Sequence, residues 1–213
     1  MQWINNFFDN KIPFYIYQLN QGDAIIYTSK NSNKIIILSG VIYIMQIFTN
    51  QEKLPLAILS NNHIIHLDHK MPKNKYYYEI TAIKRTYLIS FKSEYKYGHK
   101  KLLNSLMQPL VESYKMTLNA HIKMQQILIH KYIQYRFLQL IIFLCKEFGY
   151  INKEEVIIPF KINQQELGFI IGSNKKNINQ IISKFKRYGL IKYSSKKIIC
   201  ISNIFSFTSF TLY

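Results

Sequence analysis

Four polar side chains near the carboxyl end of the chain have the types and the spacing that recognition of duplex DNA requires. They are Lys175, Lys176, Asn179 and Gln180. Lysine donates hydrogen bonds to guanine O6 and N7, and the side-chain amide of Asn or Gln can bond adenine through two atoms. On a helix, these four lie on the face opposite Ile178, Ile181 and Ile182, so the sequence predicts base readout in the major groove.

A second group of polar residues flanks these four and suits contacts to the DNA backbone, which supply affinity without sequence information. The group comprises Gln164, Gln165, Ser173, Ser183, Lys184, Lys196 and Lys197. For each individual residue the alternative is a side chain that is simply solvated on the surface. The segment 174–197 contains lysines and one arginine but no acidic residue, which favours a polyanionic partner.

The elements that position these side chains are predicted from cap residues and apolar spacing. Asn163 can cap a short helix that Gly172 ends, and Asn174 can cap a second helix that ends before Gly189. Two apolar runs, 190–193 and 198–201, then flank a turn and predict a hairpin. Two short helices with a tight turn and a hairpin are typical of a winged helix-turn-helix.

The first half of the chain has a β pattern. Short apolar runs at 23–28, 34–38, 41–48, 54–59, 76–83 and 86–91 are separated by Gly, Asn, Ser and Pro. Several short strands joined by turns favour an antiparallel roll or barrel rather than alternating strands and helices.

A long helix without glycine is predicted from Leu102 to about His130, with Pro109 in a first turn or at a junction of two helical pieces. Its apolar positions predict a dimerisation face, although packing wholly within one chain is the alternative. That face comprises Leu103, Leu106, Leu110, Tyr114, Leu118 and Met124.

The predicted fold class is therefore α+β. An N-terminal antiparallel β-roll, similar to a cyclic-nucleotide-binding jelly roll, occupies residues 1–100. A central dimerisation helix follows at 101–131, and a winged helix-turn-helix DNA-binding domain occupies 132–213.

Composition narrows the class of partner. The net charge of +17 suggests a polyanion, but a chain rich in Ile, Asn and Lys also fits an AT-biased genome. No apolar run is long enough to span a membrane, and the first 18 residues lack the order of a secretory signal. Cys145 and Cys200 lie in apolar segments without metal-ligand spacing, so buried free thiols are expected.

The order of these parts resembles the CRP/FNR-type transcription regulators, and in particular the nitrogen-control branch of cyanobacteria and algal plastids. Three blocks carry the resemblance: GDAIIYTSKNSNKIIILSGVIYI at Gly22–Ile44, RFLQLIIFLCKEFG at Arg136–Gly149, and the segment Ile162–Ile201. The resemblance implies a homodimer that binds palindromic promoter sites on double-stranded DNA, contacts RNA polymerase and activates transcription. It also favours the plastid stroma, with a bacterial cytoplasm as the alternative.

The resemblance also implies an effector site in the roll, where the nitrogen-control branch binds 2-oxoglutarate. The corresponding segment is Asn62–Glu79, and Ile65, His66 and Tyr76 stand at the implied positions. A glycine is missing near Ile65–His66, and a tyrosine near Tyr76 replaces the arginine that pairs with carboxylate. Effector-independent DNA binding is therefore an open alternative, and no resident cofactor is expected.

The resemblance further predicts an altered operator. Relatives have an arginine where Gln180 stands, and that arginine reads a guanine. Lys175 also replaces an arginine, which keeps the charge but loses the planar fork.

Two other functions remain open at this stage. One is broad, nonspecific binding of nucleic acid with a degenerate effector domain. The other is a metal-dependent enzyme of the cupin type, based on His63, His66, His69 and Asp68, although no catalytic motif or acid–base pair supports an enzyme.

Overall fold

The computed structural model describes residues 2–28, 33–67, 76–92, 100–153, 155–193 and 198–202, with only the backbone path for 100–105 and 193. The chain forms two compact units, residues 1–124 and 125–213. The boundary between them falls inside the long helix, so most of that helix is grouped with the first unit. Each unit is described by itself below.

The first unit begins with a short helix, α1 (Gln2–Asp9), which is followed by eight strands. The strands are β1 (Phe14–Leu19), β2 (Ala24–Tyr27), β3 (Asn33–Ser39), β4 (Val41–Phe48), β5 (Lys53–Ser60), β6 (Ile64–Ile65), β7 (Tyr76–Ala82) and β8 (Thr86–Lys92). The long helix α2 (Lys100–Leu128) comes next.

These strands form two four-stranded antiparallel sheets in the orders β1-β8-β3-β6 and β2-β7-β4-β5. Alternate residues of the strands point between the sheets and form one apolar cluster, in which Ile42, Ile44, Ile80 and Leu88 are fully buried. The β-roll predicted from the sequence is confirmed.

A second apolar cluster covers the outer side of the first sheet. Trp3 and Phe7 of α1 pack there with Phe91, and the Phe7 and Phe91 ring centroids are 4.8 Å apart. The Trp3 indole also donates a hydrogen bond to Asn62 Oδ1 at 3.1 Å. No helix is predicted at the short α1. Residues 14–19 belong to the predicted β region but are not recognised there as a separate strand, because the exposed residues of β1 are mostly aromatic or aliphatic.

Helix α2 is continuous through Pro109, which therefore lies neither in a first turn nor at a junction of two helical pieces, contrary to the prediction from the sequence. Leu106 is buried in the second cluster, and Leu110 and Tyr114 pack against it. Ala120 belongs to the interior cluster of the roll. One side of α2 is therefore packed on its own domain.

The second unit contains α3 (Ile133–Phe148), β9 (Tyr150–Asn152), β10 (Glu155–Ile157), α4 (Gln164–Ile171), α5 (Lys175–Arg187), β11 (Ile191–Tyr193) and β12 (Ile199–Ile201). Its sheet has the order β11-β12-β10-β9, with all pairs antiparallel. The predicted hairpin is present, while its turn lies outside the described residues.

Cys145 and Cys200 are buried free thiols, and burial raises the pKa of Cys145 to about 12.

Gly40, between β3 and β4, has a φ of +117° and lies against Thr86, where an added Cβ would lie 2.6 Å from the Thr86 Cα. We predict that Gly40→Ala destabilises the first unit by more than about 3 kcal/mol, because backbone strain and a clash with the Thr86 Cα and side chain add together. Gly22 has a φ of +87° but nothing within 4 Å of an added Cβ, so Gly22→Ala is the matched control with strain alone.

The measurement is urea unfolding followed by the fluorescence of Trp3, which is the single tryptophan of the chain and is buried in this unit. Equal losses of unfolding free energy for the two variants would contradict the proposed close contact at Thr86.

Candidate nucleic-acid interface

The first helix of the helix-turn-helix begins with a complete capping box. The Asn163 side chain accepts a hydrogen bond from the Glu166 N–H, and the Glu166 carboxylate accepts one from the Asn163 N–H, both at 2.8 Å. The two bonds satisfy donors that a helix start leaves unpaired. Glu166 is buried, and burial raises the pKa of its carboxyl group, although the bond from Asn163 opposes that shift.

The turn between α4 and α5 depends on a left-handed residue. Gly172 has φ 67° and ψ 45°, and its N–H and that of Ser173 bond carbonyls of the last turn of α4. This geometry ends α4 and redirects the chain within two residues. Asn174 then caps α5, because its side chain accepts a hydrogen bond from the Asn177 N–H at 2.9 Å. The predicted caps and the glycine turn are all present.

Helix α5 has one buried and one exposed side. Ile178, Ile182 and Phe185 are buried, and Phe185 stacks on Phe137 of α3 with ring centroids 5.6 Å apart. These contacts fix which side of α5 faces the protein. The opposite side must therefore carry the charged residues, and α5 contains no acidic residue.

The predicted base-reading residues are divided by this arrangement. Lys175, Lys176 and Gln180 are exposed, as readout in a groove requires. Asn179 is only partly exposed, and its Oδ1 is buried without a hydrogen-bond partner. A bidentate bond to adenine needs both the oxygen and the amide nitrogen, so Asn179 is poorly placed in this conformation. Its role in readout stays a prediction.

Most of the described residues that are predicted to contact the DNA backbone are exposed to solvent. Gln165, Ser183 and Lys184 are exposed, while Gln164 and Ser173 are half-buried. Ser173 Oγ accepts a hydrogen bond from Asn177 Nδ2 at 3.3 Å, so part of its capacity is used within the turn. Lys196 and Lys197 lie outside the described residues.

Two further cations extend the surface beyond the predicted set. Lys186 and Arg187 in the last turn of α5 are exposed and belong to the acid-free run already evident in the sequence. Lys192, in contrast, pairs with Glu155 at 3.1 Å, which partly neutralises its charge. We use the term cationic face for Lys175, Lys176, Lys184, Lys186 and Arg187.

The effector-type positions in the roll have different surroundings from one another. Ile65 is buried in the interior apolar cluster, and His66 is exposed with its ring 6.2 Å from that of Tyr114. Tyr76 is half-buried beside Phe48 and Tyr78, with ring-centroid distances of 6.0 and 5.7 Å. Aliphatic and aromatic packing at Ile65 and Tyr76 does not offer the charge that a dicarboxylate needs.

The backbone groups next to Ile65 are bonded within the chain. Thr117 Oγ1 of α2 lies 3.0 Å from the Ile64 N–H nitrogen, from which it accepts, and 2.9 Å from the Ile64 carbonyl oxygen. The same hydroxyl lies 3.0 Å from the Ser113 carbonyl, which is its alternative acceptor. The Ile64 N–H is therefore already paired, and an anion would have to displace Thr117.

A histidine one turn further along α2 adds to this attachment. Burial lowers the pKa of His121, while a hydrogen bond with the Leu56 backbone opposes that shift.

The metal hypothesis finds no support among the described residues, where no group of three or more His, Cys, Asp or Glu side chains could hold an ion. His63 bonds to backbone atoms of its own turn, at 2.9 Å from the Ser60 carbonyl. His69 and Asp68 lie outside the described residues.

No helix in the described part of the chain has the length and apolar character needed to cross a bilayer.

The predicted dimerisation face is divided between buried and exposed positions. Leu106 and Met124 are buried within the single chain, and Leu110 and Tyr114 are half-buried against their own domain, so these positions face inward rather than toward a partner. The side chain of Leu103 lies outside the described residues. Among the members of the predicted set whose side chains the structure describes, Leu118 is the exposed one, at 60%.

A different apolar stripe is open on α2. Met107, Val111, Leu118 and Ile122 are all exposed. At about 100° per residue, they fall within about 60° of one another around the helix axis. The predicted dimerisation set shares only Leu118 with this stripe, because helical spacing alone does not separate the side that packs on the roll from the side that stays exposed.

Comparison with known proteins supports the same family as the sequence pattern. No family model matches the chain. The chain is 28% identical over 206 residues to the HTH-type transcriptional regulator ycf28 of Porphyra purpurea, covering 92% of this chain and 82% of that protein. It is 20% identical over 195 residues to the global nitrogen regulator of Synechococcus elongatus, covering 88% of this chain and 86% of that protein.

A solved structure has the same fold. The CRP/FNR-family transcriptional regulator TTHA1359 from Thermus thermophilus matches with a TM-score of 0.68 and 14% identity, over 93% of this chain and 99% of that one. The chain is therefore similar in sequence to two transcriptional regulators and has the fold of a CRP/FNR-family regulator. The two sequence relatives are named as transcriptional regulators rather than enzymes, which argues against the hypothesis of a cupin-type enzyme.

The buried Glu166 predicts a pH dependence of stability in the second unit. Its folded pKa lies above the ordinary value of 4.5, so the folded state binds more protons than the unfolded state as the pH rises from 4.5 to the raised value. The free energy of unfolding therefore falls over that interval, and the stability lost is not regained at higher pH.

Glu166→Gln keeps an oxygen that can accept from the Asn163 N–H but cannot ionise. We expect the variant to gain stability relative to the wild type as the pH rises from about 4 to 7, in urea unfolding followed by circular dichroism. A difference in unfolding free energy that is constant with pH would contradict the raised pKa.

Proposed function

We propose that the chain is a dimeric, sequence-specific DNA-binding regulator of the nitrogen-control type, which activates transcription from palindromic promoter sites. The observation that carries this proposal is the division of α5 into a buried apolar side, which contacts α4 and α3, and an exposed cationic face without acidic residues. A helix of this kind, presented by a capped helix-turn-helix, fits the major groove of B-form DNA.

The two curated relatives support the biological class. One is named as a helix-turn-helix transcriptional regulator and the other as a global nitrogen regulator, and each alignment extends over most of both chains. Because the alignments include the roll, α2 and the winged helix together, the proposal applies to the whole chain rather than to a shared DNA-binding unit. Contact with RNA polymerase and a location in the plastid stroma follow from the same likeness to ycf28 and belong to the proposal.

Dimerisation is proposed through the open stripe of α2, Met107, Val111, Leu118 and Ile122. Such a row of exposed apolar side chains on a helix is unfavourable in water and is favourable against a second copy of itself. A two-fold axis along α2 would also present two copies of α5 to a palindrome, as half-site recognition requires.

We propose that DNA binding does not depend on 2-oxoglutarate. The contacts of Thr117 with both backbone groups of Ile64 attach α2 to the roll without a ligand, and Ile65 contributes to the apolar interior. Neither feature leaves a cation and free N–H groups for a dicarboxylate.

Replacement of Gln180 by the arginine that relatives have at this position tests sequence-specific readout directly. Selection of duplexes from a random pool should return a palindrome from the wild-type protein, with adenine favoured at one position of each half-site. Gln180→Arg should change that position to guanine, because arginine bonds O6 and N7 of guanine through two atoms, and the discrimination should be about 1–3 kcal/mol.

Gln165→Arg, on the exposed side of α4, is the matched control and should leave the selected sequence unchanged. Affinities measured with and without millimolar 2-oxoglutarate should agree within error. Equal affinity for the palindrome and a scrambled duplex would instead support the broad nucleic-acid-binding function, in which the roll is a structural relic.

The dimer is tested by charge in the open stripe. Leu118→Lys together with Ile122→Lys should convert the protein to a monomer in analytical ultracentrifugation, because two lysines of each subunit would be buried against two of its partner. Asn119→Lys, at an exposed polar position of the same helix, is the control that should remain dimeric. A double variant that stays dimeric would place the subunit interface elsewhere.

A further inference from the structure

One arginine of the second unit connects two segments that are distant in sequence. Arg136, in the first turn of α3, donates through Nε to the His130 carbonyl at 2.7 Å and through Nη1 to the Ile171 carbonyl at 3.3 Å. Both bonds are partly buried, and the side chain is itself half-buried. Hydrogen bonds from a charged donor in such surroundings are among the stronger ones in proteins.

The first acceptor belongs to the connection between the long helix and the DNA-binding helices. His130 lies in the segment 129–132, between the end of α2 and the start of α3. The Arg136 Nε–His130 bond therefore holds the end of that connection against the first turn of α3.

The second acceptor belongs to the turn that aims α5. Ile171 is the last residue of α4, directly before the left-handed Gly172. Its carbonyl is one of those that a helix end leaves without an intrahelical partner, and the cationic guanidinium also complements the negative end of the helix. The Arg136 Nη1–Ile171 bond therefore fixes the turn from which α5 starts.

We propose that Arg136 is a positioning residue, which sets the location of α5 relative to the α2–α3 connection and thereby the distance between the two recognition helices of a dimer. The proposal rests on the proposed function, because it concerns how two copies of α5 meet one palindrome. A planar guanidinium can bond two carbonyls in fixed directions, whereas a lysine ammonium lacks that rigid geometry.

A positioning role makes a specific demand on half-site spacing. Each winged helix would still bind a single half-site after loss of Arg136, since none of the cationic face is altered. Simultaneous binding of two half-sites gains affinity only when the geometry permits both contacts, and a loose connection lowers that gain. The spacing preference, rather than the affinity for one half-site, is therefore the informative measurement.

The experiment uses the full-length protein, the palindrome obtained from selection, versions of it with one base pair added or removed between the half-sites, and a single half-site. Affinities are compared for the wild type, Arg136→Met and Arg136→Lys. Lys146→Met is the matched control, because it removes a charge from the last turn of the same helix at an exposed position. Circular dichroism checks that each variant is folded. If Arg136→Met does not fold, the comparison is made with Arg136→Lys.

For Arg136→Met we expect a half-site affinity within about twofold of the wild type, and a loss of about tenfold or more on the palindrome of natural spacing. The difference in affinity between the natural spacing and the spacings changed by one base pair should become smaller. Arg136→Lys should give an intermediate loss, and Lys146→Met should keep the wild-type spacing profile.

Two results would overturn the positioning role. One is an unchanged spacing profile in folded Arg136 variants. The other is an equal loss on half-site and palindrome together with a salt slope reduced by about one, which would make Arg136 a phosphate contact instead. A wild-type protein that binds no duplex would contradict the proposed function itself, so the two failures can be distinguished.

Discussion

The burial of the apolar side of α5 against its neighbouring helices is the interaction on which the function of this molecule depends. Ile178, Ile182 and Phe185 leave water there, where α5 contacts both α4 and α3 and Phe185 stacks on Phe137. This burial determines the rotation of α5 about its own axis and so exposes the cationic face. The capping box at Asn163 and the turn at Gly172 then determine where the helix begins and in which direction it runs.

The long helix α2 performs two tasks with opposite sides. One side packs against its own domain, through Leu106 in the outer cluster and Ala120 in the roll interior, and Thr117 adds a polar contact to the backbone of Ile64. The other side of α2 leaves an apolar stripe exposed, which we propose as the contact with a second copy. The contact with the roll is made by the chain's own groups, and on this basis we propose that DNA binding does not depend on 2-oxoglutarate.

Much of the fold follows from local rules that operate within a few residues. Asn163, Gly172 and Asn174 have cap or turn chemistry that can be recognised in the sequence, and the strands around Gly40 follow from short apolar runs. The parts that could not be predicted depend on contacts between distant segments. The buried amide oxygen of Asn179, the inward orientation of Leu106 and Met124, and the bonds of Arg136 to His130 and Ile171 all arise only when separate elements pack together. Helical periodicity alone identifies an apolar stripe but does not say which neighbour covers it.

The central claim is that the cationic face enters the groove of duplex DNA, and the salt dependence of binding tests it most directly. Each phosphate neutralised by a lysine or arginine releases condensed counterions, so the logarithm of the association constant falls with the logarithm of salt by about 0.9 per contact. We expect a steep negative slope, equivalent to several phosphate contacts per subunit, in fluorescence anisotropy with a labelled palindrome between 50 and about 300 mM salt. A duplex affinity that is absent, or that does not change with salt, would contradict the account.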